Sequence, residues 1–170
     1  LPGAKIVALE ILIDEDAPSI TASTSSQQNA LSHYLQASEA LASDDAATAN
    51  KALTQLKEEL EKDNDSKNTQ LISSLASISE TTEIKTLRDV FGKISKVLIP
   101  RFESAKTSSN LKFKKAFCPM ALANKGAEWL QVGEKIRNPY FGSQMLACGE
   151  LVHAGKDKHA DHDHSQHHKH

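Results

Sequence analysis

Four sulfur-containing side chains lie in the C-terminal third of the sequence, and they are the chain's two cysteines and two methionines. Cys118 and Met120 flank Pro119, and Met145 and Cys148 are three residues apart. If residues 143–149 form a short helix that stops at Gly149, Met145 and Cys148 share one face of it. Two thiols and two thioethers form a soft ligand set, which favours Cu(I) or Ag(I) over oxygen-seeking ions.

Two other interpretations of these residues stay open. The methionines can fill a core beside aromatic rings, where sulfur–aromatic contacts are favourable. The two cysteines can instead form a disulfide, which would close a loop of about 30 residues and stabilise the fold by roughly 3–4 kcal/mol. A Cys118–Cys148 disulfide would compete directly with metal binding.

Four sequence blocks surround these sulfurs in a fixed order: CPMA, NKGAEWL, IRNPYFG and MLACG. Together they resemble the C-terminal domain of CusB-type periplasmic adaptor (membrane fusion) subunits of resistance-nodulation-division heavy-metal efflux pumps. The resemblance implies a periplasmic helical domain that handles copper or silver. It implies Cys118, Met120, Met145 and Cys148 as the metal ligands. Relatives have Tyr or His just before the CPM block, where this chain has Phe117, so no ligand is implied at that position.

A second candidate metal-binding segment is the histidine-rich tail, which holds seven of the eight histidines. They are His153, His159, His162, His164, His167, His168 and His170. Imidazole binds Cu(II), Zn(II) and Ni(II), so the tail and the sulfurs prefer different metals or oxidation states. We expect residues 153–170 to be a natural disordered tail that gathers metal, with a purification tag as the alternative. Capture should fail below about pH 6, where the imidazoles hold a proton.

The N-terminal 28 residues predict a strand followed by a linker. Residues 5–13 are rich in β-branched and aliphatic side chains and predict a strand within residues 1–18. This stretch is similar to the end of the membrane-proximal β domain of the same adaptors, which implies a fragment of a longer adaptor; an unstructured arm is the alternative. Residues 19–28 are rich in Ser, Thr and Gln and predict a linker.

Residues 29–105 show four stretches of helical periodicity, which predict an antiparallel four-helix bundle. The first helix is expected from Asn29 to about Ala42, and Asp44 or Asp45 caps the second. The third runs from about Asn68 to Ser79. The fourth starts at Thr81 or Thr82 and is kinked or ended by Pro100. Residues 106–152 predict a small irregular Cys/Met lobe packed on the bundle, so the expected fold class is mainly α.

Composition and the remaining residues exclude several classes of function. The formal net charge of −2 favours neither nucleic acid nor an anionic membrane surface. No stretch reaches the roughly 20 apolar residues of a membrane span. We see no Ser/His/Asp arrangement, phosphate loop or CxxC pair, so we do not expect an enzyme. His33 is interpreted as a surface or capping histidine. Lys125, Arg137 and Asn138 are interpreted as structural, and Arg137 can brace a carboxylate.

The sequence therefore predicts a periplasmic module that binds Cu(I) or Ag(I) and passes it toward an efflux pump. The implied partners are the pump, its outer-membrane channel components and a periplasmic metallochaperone. A free-standing metallochaperone or metal buffer is one alternative. The other is a helical docking module that binds no metal and is closed by a Cys118–Cys148 disulfide.

Overall fold

The protein is mainly helical, with a small antiparallel three-stranded sheet. The computed structural model describes residues 20–106 and 112–153. The predicted N-terminal strand and the tail beyond His153 lie outside these ranges. The four long elements are α1 (Ile20–Ala42), α2 (Ala46–Lys62), α3 (Thr69–Ala76) and α4 (Ile84–Lys106). Within the described ranges, no helix combines the length and apolar character that a membrane crossing needs.

The amino-acid sequence of α2 accounts for both its start and its buried face. Asp45 caps α2, because its side chain accepts a hydrogen bond from the backbone N–H of Thr48 at 3.0 Å. One face of α2 carries apolar residues at helical spacing, and all of them are buried: Ala49, Ala52, Leu53, Leu56 and Leu60. The predicted cap and buried stripe of this helix are therefore confirmed. The next helix is shorter than expected, since a 3-10 turn at Ser66–Asn68 precedes α3, which ends at Ala76.

The predicted linker at residues 19–28 is wrong, because α1 already begins at Ile20. Residues 25–29 of this helix are mostly exposed, so their polar side chains need no core. An α-helix satisfies its backbone hydrogen bonds internally, and a polar segment can therefore extend a helix that is anchored further along. A scarcity of apolar residues indicates little burial, but little burial does not prevent a segment from forming a helix.

Pro100 does not end the fourth helix, which was one of the two predicted outcomes, since α4 continues to Lys106. The proline side chain is exposed, and so is Lys96, whose carbonyl loses its intrahelical donor. Ile99 and Phe102, on either side, are buried. Packing on both sides of the proline and hydration of the freed carbonyl compensate for the missing hydrogen bond.

The C-terminal part is a sheet, where the sequence predicted an irregular lobe. Its strands are β1 (Lys114–Cys118), β2 (Ala127–Gln131) and β3 (Glu150–Leu151), in the order β2-β1-β3. The register pairs Cys118 with Ala127 and Phe117 with Glu150. Alternating burial along β1 is the signal of a half-buried strand, but five residues are too few to separate it from a loop in the sequence.

One hydrophobic core joins the helices to the sheet. Tyr34 of α1 is fully buried and stacks on Phe91 of α4 with ring centroids 4.8 Å apart. Its hydroxyl lies 2.7 Å from the Ser95 hydroxyl and accepts a hydrogen bond from the backbone N–H of Leu130 in β2 at 3.4 Å. The sheet therefore packs directly on α1 and α4.

Candidate metal centre

Cys118 and Cys148 meet, with their sulfur atoms 2.9 Å apart. Cys118 ends β1 and is fully buried, whereas Cys148 lies two residues before β3 and is half-buried. The pairing of β1 with β3 brings the two chain segments together. Both residues are free thiols in the structure.

Gly149 allows this close approach. Its φ is +125°, and a Cβ added there would lie 2.7 Å from the Phe117 carbonyl oxygen and 3.3 Å from the Cys118 Cβ. A side chain at this position would therefore push β1 away from the segment that carries Cys148. The sequence predicted Gly149 as a helix stop, but in the structure the glycine permits contact between two backbones.

The predicted helix over residues 143–149 is wrong. A 3-10 turn at Gly142–Gln144 is followed by a tight turn, in which the Cys148 backbone N–H donates to the Met145 carbonyl at 3.0 Å. Asn138 accounts for the difference, because it captures the carbonyl oxygens of Leu146 and Cys148, each at 2.8 Å. Long-range hydrogen bonds of this kind leave no periodic pattern in the sequence.

The two methionines differ in exposure. Met120 is 47% exposed and Met145 is half-buried. Met120 immediately precedes a strained turn, since Leu122 and Ala123 have φ of 51° and 58°. The Leu122 side chain packs over Gly92 of α4, where an added Cβ would lie only 2.7 Å from Leu122 Cδ1. The Met120 thioether therefore stands at the surface, on a turn anchored to the helices.

The neighbouring thiol changes the acidity of Cys148. Cys118 at hydrogen-bonding distance, and secondarily burial, raises the pKa of the Cys148 thiol. Cys148 therefore holds its proton at neutral pH. A metal ion bound there would have to displace that proton, because cysteine binds metal ions as the thiolate.

Within residues 20–106 and 112–153, no group of three or more His, Cys, Asp and Glu residues could hold a metal ion. Methionine is not one of these four residue types, so a site of two thiols and two thioethers is a different arrangement. Of the tail histidines, the described ranges include only His153, which is exposed.

A buried amide that sequence reasoning missed organises the loop after β2. The Gln131 Oε1 atom accepts hydrogen bonds from Trp129 Nε1 at 3.0 Å and from the Arg137 backbone N–H at 3.1 Å. Its Nε2 atom donates to the carbonyl oxygens of Gly133 and Lys135. These four hydrogen bonds fix the loop that leads to Asn138, the residue that binds the turn before Cys148. The only signal in the sequence is a glutamine that directly follows two apolar residues.

Two ion pairs connect this region to the helices. Arg137 Nε donates to Glu39 of α1 at 2.8 Å, which agrees with the expectation that Arg137 braces a carboxylate. Arg88 of α4 donates to Asp44 at 2.7 Å, and Asp44 accepts from the Ser143 backbone N–H at 3.0 Å. Hydrogen bonds from Ser143 and Arg88 lower the pKa of Asp44 to about 2. The Arg88–Asp44 contact is not predictable from a local pattern, because its partners are 44 residues apart.

Comparison with known proteins gives one match. Residues 30–110 are similar to a family described as a protein of unknown function (DUF3347). This range covers the helices from within α1 to α4 and ends before β1, so the two cysteines and two methionines lie outside it. No curated protein and no solved structure matches the chain. The similarity is therefore confined to the helical part of this chain, and the matched family is described as of unknown function.

Proposed function

We propose that the chain is a periplasmic Cu(I)/Ag(I)-binding module of a heavy-metal efflux adaptor. The observation that carries the proposal is the 2.9 Å contact between the sulfur atoms of Cys118 and Cys148. Two thiols that meet in a folded chain, with a methionine close to each in sequence, supply the donors that soft ions prefer. We further propose that α1 to α4 form an antiparallel four-helix bundle that supports this site.

The four sulfur residues have different tasks in this proposal. Cys118 and Cys148 supply thiolates that hold the ion, and binding releases their protons to solvent. Met120 and Met145 supply thioethers, which are neutral and weaker donors. A mixed site of this kind exchanges metal more readily than a site made only of thiolates, and the exposed Met120 lies where a donor or acceptor protein can reach it. No covalent bond of a substrate is made or broken.

The adaptor assignment rests on the four sequence blocks around the sulfurs. It places the chain in the periplasm beside an efflux pump and its outer-membrane channel components, with a periplasmic metallochaperone as metal donor. The matched helical family adds nothing to this assignment, because its function is unknown. The histidine-rich tail would gather Cu(II), Zn(II) or Ni(II) separately from the sulfur site.

The same contact between the thiols also favours a competing function. Two sulfurs at 2.9 Å need only a small movement to form a disulfide. In that case the C-terminal part is a closed docking surface, and its methionines serve packing. The two functions differ in whether the reduced protein binds a soft ion.

The deciding experiment is an anaerobic titration of the reduced full chain with Cu(I), in competition with a chromogenic chelator. A chain with its seven tail histidines replaced by asparagine isolates the sulfur site. We expect one tight equivalent, abolished by Cys118→Ser or Cys148→Ser and weakened by Met120→Leu or Met145→Leu. Val132→Thr is the control, since Val132 is 69% exposed in the same region and carries no sulfur.

Binding that is indifferent to all four substitutions, or no binding above the chelator's background, would refute the metal-binding proposal. The docking function would then be preferred. Counting free thiols after oxidation would test it, because a Cys118–Cys148 disulfide leaves none.

A further inference from the structure

Asn138 is a fully buried polar residue, and each of its four polar atoms has a hydrogen-bond partner. Its backbone N–H donates to the Leu146 carbonyl and its Nδ2 to the Cys148 carbonyl, both at 2.8 Å. Its Oδ1 accepts from the backbone N–H of Tyr140 at 2.8 Å, and its carbonyl accepts from Gly142 at 3.0 Å. Because water is excluded, losing any one of these partners leaves an unsatisfied group in the interior.

These bonds fix the turn that carries Cys148. Asn138 holds the carbonyl groups of Leu146 and Cys148, on either side of Ala147. The Cys148 backbone N–H is held by Met145 at 3.0 Å. Both backbone polar groups of Cys148 are therefore occupied, and only its side-chain torsion remains free to set the position of the sulfur.

The other side of the site is fixed independently. Cys118 lies in β1, paired with Ala127 of β2, and it is buried. The distance between the two sulfurs therefore depends on where the turn holds Cys148. Asn138 is the side chain that donates a hydrogen bond to the carbonyl of Cys148 itself.

We propose that Asn138 is a positioning residue of the sulfur site, whose carboxamide holds the Cys148 thiol against Cys118 for capture of a soft metal ion. This inference rests on the proposed function for its metal-binding consequence. Asn138 touches no metal ligand atom in this role; it acts through the backbone of Cys148. Mutating a residue that hydrogen-bonds to a metal ligand typically lowers metal affinity by roughly 10–100-fold.

The informative substitution is Asn138→Asp, which keeps the shape and the acceptor for Tyr140 but removes the donor to the Cys148 carbonyl. The matched control is Asn124→Asp. Asn124 is exposed in the same part of the fold, and its φ of 63° is a conformation that aspartate also tolerates. Asn138→Ser is a second, neutral variant that introduces no buried charge.

The first readout needs no metal. Glutathione disulfide oxidises the two thiols to a disulfide and is reduced to two glutathione thiols, so redox buffers report the effective concentration of Cys118 and Cys148 toward each other. We expect Asn138→Asp and Asn138→Ser to lower it by about tenfold or more, with helical circular dichroism unchanged. The control should match wild type. Folded Asn138 variants with wild-type effective concentration would overturn the inference.

The second readout is Cu(I) affinity by chelator competition, which we expect to fall by about 10–100-fold in both Asn138 variants. If wild type binds no Cu(I), the proposed function fails, and the glutathione measurement still tests the positioning role. If wild type binds Cu(I) and the folded variants bind it equally well, the positioning role fails while the proposed function stands.

A measurement on the wild-type chain covers the case in which neither variant folds. The proposal requires the side-chain amide protons of Asn138 to be protected from solvent exchange in both the metal-free and Cu(I)-loaded protein. Slow exchange in both forms supports it. Rapid exchange in either form would overturn it, because the carboxamide would then not be holding Cys148.

Discussion

Cys148 is the half-buried member of the thiol pair, and its proton is held more firmly than that of an ordinary cysteine. The neighbouring Cys118 raises its pKa. Metal binding needs the thiolate, so protons and the ion compete for this sulfur. A raised pKa extends this competition to higher pH, because the thiol form persists further into the alkaline range.

We therefore expect the Cu(I) affinity to rise with pH, by about tenfold per pH unit for each thiol proton released. Chelator competition from about pH 6 to about pH 9 measures the slope, after correction for the chelator's own titration. Cys148→Ser should give a smaller slope. An affinity that is constant over this range would show that thiolates do not hold the ion.

Ala123 sits in a conformation that alanine disfavours. It is exposed, its φ is 58°, and it lies between Leu122 and Asn124, which are also left-handed. The left-handed region costs a non-glycine residue roughly 1–2 kcal/mol, a penalty that glycine does not incur. The turn after Met120 therefore holds strain that the packing of Leu122 over Gly92 offsets.

We expect Ala123→Gly to raise the free energy of unfolding by about 1 kcal/mol, measured by urea denaturation. Ala47→Gly is the control of opposite sign, because Ala47 is exposed in the first turn of α2, where glycine is the poorer helix former. Destabilisation by both substitutions would contradict the left-handed conformation of Ala123.

At the scale of elements, the contact between α4 and the 3-10 turn at Gly142–Gln144 depends on a missing side chain. Gly142 has φ of +58°, and an added Cβ would collide with the side chains of Asp44 and Arg88. Those two residues form the ion pair that ties the α1–α2 turn to α4, and Asp44 also binds Ser143. Glycine is therefore needed at this position for both conformation and space.

We expect Gly142→Ala to be more destabilising than Gly133→Ala. Gly133 also has a positive φ, of +84°, but nothing lies within 4 Å of an added Cβ there. Gly133→Ala should lower the free energy of unfolding by about 1–2 kcal/mol, the conformational penalty alone. Gly142→Ala should lower it by about 1–3 kcal/mol more, because of the collision. An equal decrease in the free energy of unfolding of both variants, measured by urea denaturation, would show that the Asp44–Arg88 contact does not confine this turn.

The sequence predicts the helix α2 well, but it does not predict where α1 starts or that α4 continues past Pro100. The helix α2 and its buried stripe follow from the local pattern, and its cap, predicted as Asp44 or Asp45, follows from capping chemistry. The start of α1 and the passage of α4 through Pro100 depend on packing elsewhere in the chain, which periodicity does not report. In the candidate site, residue type identified Cys118 and Cys148, whereas the turn that presents Cys148 depends on Asn138, ten residues away.

At the scale of the whole molecule, helices and sheet share their aromatic residues. Trp129 of β2 lies 6.0 Å from Tyr140, Tyr140 lies 5.9 Å from Phe91 of α4, and Phe91 stacks on Tyr34 of α1, as measured between ring centroids. These ring contacts run from the sheet into the helices, within a single cluster of buried residues. The helical and sulfur-bearing parts are therefore expected to be one cooperative unit.

We expect the two parts to unfold together. Near-ultraviolet circular dichroism, which reports the packing of Trp129, and far-ultraviolet circular dichroism, which reports the helices, should give the same urea midpoint. Tyr34→Phe removes the hydroxyl that meets Ser95 and Leu130, so it should lower both midpoints equally. Separate midpoints in wild type would indicate two independently folding parts.

Trp129 also gives the molecule an internal optical reporter. It is the only tryptophan in the chain and is fully buried, and its Cη2 atom lies 2.9 Å from where a Gly149 Cβ would stand. The Cys118 Cβ lies 3.3 Å from the same point. Indole fluorescence therefore originates in the protein interior, close to Cys118. We expect oxidation of the thiols, or metal loading under the proposed function, to alter the quenching of that one emitter. The state of the site would then be visible in the light that the unlabelled protein emits.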